Sequence, residues 1–65
     1  MKTWDFMTTE DNGQFKVKKN NHYWEVEKGS ALITGQFNGE AIIEFSSKPI
    51  QTKYALVDWV IKVFY

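Results

Sequence analysis

Turn-forming residues recur at short intervals through the first two thirds of the chain, and their spacing constrains it most. Asp11-Asn12-Gly13, Asn20-Asn21, Lys28-Gly29-Ser30 and Asn38-Gly39 each carry residues that favour tight turns. Asn and Gly tolerate the positive φ that hairpin turns demand, and Asn38-Gly39 is the clearest two-residue signal. The runs between these turns are about five or six residues long, which suits strands and leaves no room for an ordinary helix. Tight turns join antiparallel neighbours, so the pattern predicts a meander.

Residues about 3–8, 14–19, 22–27, 31–37 and 41–45 read as five strands. Trp4 and Phe6 face one way and Asp5 the other; Phe15 and Val17 oppose Lys16 and Lys18. Trp24 and Val26 oppose Tyr23, Glu25 and Glu27, while Ala31, Ile33 and Phe37 oppose Leu32. In the last strand Ala41, Ile43 and Phe45 align as the apolar face, with Ile42 beside Glu44. Gly35, inside a strand, signals a bulge or the close approach of another element.

The longest apolar run follows, and it reads as a helix over about 50–64. At roughly 100° per residue, Gln51, Ala55, Asp58, Lys62 and Tyr65 share one narrow arc. Leu56, Val57, Trp59, Val60, Ile61, Val63 and Phe64 fill the rest. Pro49 suits a first helical turn and Ser47 a cap. A rival strand reading aligns Ala55, Val57, Trp59, Ile61, Val63 and Tyr65, but such a strand would be unusually long.

The expected fold is therefore α+β: an antiparallel meander of about five short strands with one C-terminal helix on one sheet face. The expected core is Trp4, Phe6, Phe15, Val17, Trp24, Ile33, Phe37, Ile43, Phe45, Leu56, Val60 and Phe64. The alternative is a small all-β barrel, SH3- or OB-like, with the tail as its last strand. The helix has a wider apolar arc than one sheet face covers. Leu56, Trp59 and Val63 are accordingly expected to form an interaction face and to support a homo-oligomer.

Sixty-five residues make one domain near the lower limit for a self-sufficient core. There is no cysteine to staple it; five Phe, three Tyr and three Trp supply buried area instead. Eight lysines balance eight acids, and there is no arginine. That composition lacks the basic bias and the bidentate donors common in nucleic-acid binders. No cationic segment precedes an apolar one at the start, and the tail is too short and too interrupted to cross a bilayer. A soluble, cytoplasmic protein with no membrane association is the expectation.

Residues that carry chemistry are few. His22, the lone histidine, sits beside a turn and has no partner for acid–base work. Glu25 and Glu27 share a face with Lys16 and Lys18, as in a cross-strand charge ladder. Ser46 and Ser47 lack a nucleophile context, and the glycines lack phosphate-loop spacing. No enzyme activity, cofactor or metal site is expected. The function class that remains is a small binding protein: a protein-interaction or inhibitor module of a size that suits a phage or mobile-element accessory protein. The alternative is a single-stranded nucleic-acid binder. There Lys16, Lys18 and Lys19 would track phosphates and Tyr23 would stack on bases.

The order of elements resembles two architectures: the small SH3-like chromatin proteins of archaea, and sheet-plus-helix single-strand binders that dimerise through their helices. Order alone carries this resemblance. The dense basic charge of the first group is absent, and a shared fold does not transfer function.

Overall fold

The computed structural model describes residues 6–65. The first three residues of the expected strand over 3–8, with Trp4 of the expected core, lie outside the described residues. The elements are β1 (Met7–Asp11), β2 (Gln14–Lys19), β3 (His22–Glu27), β4 (Leu32–Phe37), β5 (Glu40–Phe45) and α1 (Lys53–Phe64). The strands lie in chain order, each antiparallel to the next. The sheet is open, not a barrel, and the tail is a helix packed on it; this is the α+β meander that the turn spacing predicts.

The Asn-Gly turns set the register. Asn12 and Gly13 have φ of 54° and 79°, and Asn38 and Gly39 have 54° and 83°. Positive φ at both central residues marks the type I′ turn, whose twist matches that of the flanking strands. Two corrections follow. β1 runs to Asp11, beyond the expected end at Thr8, because the tight Asn12–Gly13 turn pairs Asp11 with Gln14 and carries the polar Thr9 and Glu10 into the ladder. β5 is inverted relative to expectation: Phe37 pairs with Glu40, which brings Ile42 opposite Gly35 and Glu44 opposite Ile33. Ile42 is then buried, while Ile43 and Phe45, expected in the core, are each 71% exposed.

The inner face carries Phe15, Val17, Trp24, Val26, Ile33 and Ile42, covered by Leu56, Val57 and Val60 from α1 and by Ile50 from the connection. Of the expected core, Phe15, Val17, Trp24, Ile33, Leu56 and Val60 are buried, and Phe6, Phe37 and Phe64 pack against them. Trp24 is the hub at one end. Its ring centroid lies 5.6 Å from that of Phe64, 6.0 Å from Phe37 and 6.3 Å from Phe6. Beside it, His22 stacks at 4.3 Å on Phe37. The His22 Nδ1 also accepts the Asn38 N–H at 3.2 Å, which makes it a tie between two turns.

Gly35 meets the second of its two expectations. The β3–β4 and β4–β5 registers run through it without a bulge. A Cβ there would strike the Tyr23 carbonyl oxygen and come within 2.9 Å of the Trp24 Cα. The backbones of β3 and β4 therefore approach each other more closely than any side chain at position 35 permits.

The helix begins three residues later than expected. Its N-cap is Thr52, in extended backbone, whose hydroxyl oxygen accepts the Ala55 N–H at 3.0 Å. Neither Ser47 nor Pro49 starts it. They belong to a connection tied down by backbone bonds: Gly29 N–H donates to the Ile50 carbonyl at 2.7 Å, and Ile50 N–H to the Ser30 carbonyl at 2.9 Å. Those bonds plant Ile50 in the core, and the chain is free to turn helical only beyond it.

Three substitutions test these points by urea unfolding. Gly35→Ala should cost about 2–3 kcal/mol, since it forces two paired backbones apart. Thr52→Ala should cost about 1 kcal/mol through the lost cap, whereas Ser47→Ala should change little.

Candidate interaction surface

Residues paired across antiparallel strands share a face, so the register assigns the outer face, turned away from α1, without ambiguity. Met7, Lys18, Tyr23, Gln36 and Ala41 form one row across it. Thr9, Lys16, Glu25, Thr34 and Ile43 form the next. Leu32 and Phe45 pair beyond that row. The β4–β5 end is therefore apolar: Leu32 is 42% exposed beside the more exposed Ile43 and Phe45. The middle is charged, with Lys16 Nζ 3.5 Å from a Glu25 carboxylate oxygen and 5.1 Å from the centre of the Tyr23 ring.

The expected nucleic-acid residues are divided between faces. Lys16, Lys18 and Tyr23 lie together on the outer face. Lys19 pairs with His22, and its Nζ lies 5.2 Å from the Phe6 ring and 5.7 Å from that of Tyr65. Glu25 shares the outer face with the two outer lysines and is engaged with Lys16, one rung of the expected charge ladder; Glu27 pairs with Gln14 and Lys18 with Tyr23 instead.

The expected helix face is also divided. Leu56 is fully buried, so it serves the core and cannot also face a partner. Val63 is half exposed and Trp59 partly buried. They line a groove of about 420 Å³ with Ala55, Pro49, Ile50 and the polar Asp58 and Lys62. Of the three residues expected to form the interaction face, Trp59 and Val63 remain at the surface.

Sequence reasoning missed the largest exposed apolar group, Leu32, Ile43 and Phe45, because it placed two of the three in the core. The signal was present: a two-residue Asn-Gly turn pairs position 37 with position 40, so Ile42, not Ile43, shares the face of Phe37 and Ile33. Among the described residues, no group of three His, Asp or Glu side chains gathers to hold a metal. No helix of the described residues is long and apolar enough to cross a membrane. No family model, curated protein or solved structure matches this chain.

The face assignment has a direct test by urea unfolding. Ile42→Ala should cost about 2 kcal/mol or more as a core truncation. Ile43→Ala, one residue along, should cost less than about 1 kcal/mol, the span of strand preference alone.

Proposed function

We propose that the chain is a non-enzymatic binding protein, a protein-interaction or inhibitor module that engages its partner through the outer face of β4 and β5. The supporting observation is the exposed cluster of Leu32, Ile43 and Phe45 on a folded sheet whose inner face is already filled. Large apolar side chains grouped on one small surface mark contact sites in soluble proteins. The cluster borders an unpaired strand edge, and that combination suits a polypeptide partner, which can pair with backbone and fill side-chain space at once. Nucleic-acid binding has less support: Lys19 faces away from Lys16 and Lys18, and Glu25 offsets the charge of the two that remain.

Capture from an extract of the native host provides the test. A partner held by the native chain should also be held by Lys16→Ala and released by Ile43→Ser combined with Phe45→Ser, a variant that keeps its fold by circular dichroism. A partner that survives the double substitution, or a turnover that depends on His22 or a carboxylate, would refute the reading. Titration with labelled single-stranded oligonucleotides should show no salt-dependent affinity of the kind phosphate contacts produce.

A further inference from the structure

The charge on the open edges narrows the partner, given the protein-binding reading on which this inference rests. Among the described residues, β5 pairs with β4 alone, which leaves its far edge open. The type I′ turn makes Phe37 and Glu40 the first hydrogen-bonded pair, and alternation then turns Glu40, Ile42 and Glu44 toward β4. The Ser46 N–H, donating to the Ala31 carbonyl at 2.9 Å, continues that alternation. The N–H and C=O groups of Ala41, Ile43 and Phe45 therefore point outward, along the free edge. Their side chains lie on the apolar outer face. On the inner side the same edge shows Glu40 and Glu44, both exposed, since α1 lies mainly over β1 and β2.

The other open edge, β1, carries Glu10 and Asp11 and no base. Antiparallel pairing of two copies along the β5 edge sets Glu40 of one near Glu44 of the other, which disfavours a self-made continuous sheet. A foreign strand of the opposite sign meets no such obstacle.

We infer that the open edge of β5 accepts an extended segment of a partner protein that bears two basic residues four positions apart, with an apolar residue immediately inside each of them. The outward backbone groups of Ala41, Ile43 and Phe45 pair with the segment. Its apolar side chains join Ile43, Phe45 and Leu32 on the outer face, and its two basic side chains reach Glu40 and Glu44 on the inner one. The apolar face and the pairing edge supply contact; the two carboxylates supply the choice of partner.

Short capped peptides test this with the intact chain, read by amide chemical shifts and hydrogen exchange. One peptide carries lysine–valine–threonine–valine–lysine, a second replaces both lysines by glutamate, and a third holds the first set of residues in blocks. The first should bind, shift the amides of Ala41, Ile43 and Phe45, slow their exchange, and weaken with added salt. It should be preferred over the glutamate peptide by about tenfold, as expected for two exposed pairs changed from attraction to repulsion. Glu40→Lys combined with Glu44→Lys should reverse that preference. Three results overturn the inference: no binding of the lysine peptide, equal binding of the blocked peptide, or shifts confined to Trp59 and Val63. Exchange at Ile43 that slows with protein concentration in the absence of peptide also overturns it, with a second copy as the occupant. If the peptides fail while the captured partner still depends on Ile43 and Phe45, the inference falls and the protein-binding function stands.

Discussion

The contact between Trp24 and the end of the helix holds the two layers together. A sheet of five short strands and one helix has little area to bury, so each large ring counts. Trp24 is completely buried at the centre of β3 and meets rings from three other parts of the chain: Phe6 before β1, Phe37 at the end of β4, and Phe64 with Tyr65 at the end of α1. At the other end of the helix, Ile50 does the corresponding task, fixed by its backbone bonds to Gly29 and Ser30. The helix is thus held at both ends, and its orientation follows from two anchors on one sheet face.

Much of this was legible in the residues. Turn chemistry fixed the strand count and the meander, because short connections of two to four residues force consecutive strands to pair. The alternation in β2, β3 and β4 gave the correct inner faces, since their apolar residues fall on one side, apart from Leu32, which stands among the polar ones of β4. β5 was misread for the opposite reason: Ala41, Ile42, Ile43 and Phe45 offer apolar residues to both sides, and only pairing with β4 decides between them. The polar run Thr9 to Asp11 was likewise missed, since pairing with β2 makes it strand.

The interaction surface was legible in part. Pattern alone showed that some apolar area would exceed what the core could hold, and assigned the excess to the helix. The structure leaves Leu32, Ile43 and Phe45 exposed at the β4–β5 end as well as Val63 on the helix, because Leu56, Val57 and Val60 are absorbed by the sheet while, among the described residues, no element covers the outer face. The division of Lys19 from Lys16 and Lys18 follows from the period of two along a strand, but the adjacency of Lys18 and Lys19 in the sequence conceals it. No single-residue signal marks the carboxylates of Glu40 and Glu44; their position on an edge emerges only once the strand order is known.

The chain-order pairing of the sheet also bears on how the molecule reaches its folded state. Every strand–strand contact is made between neighbours in sequence, so each hairpin closes a short loop and can form early. The helix is different: it lies mainly on β2 and β1, the strands farthest from it along the chain. Its docking brings together the described segments farthest apart along the chain, so it carries the largest loop-closure cost in the fold, and the helix is the element whose placement depends on the sheet already being in order.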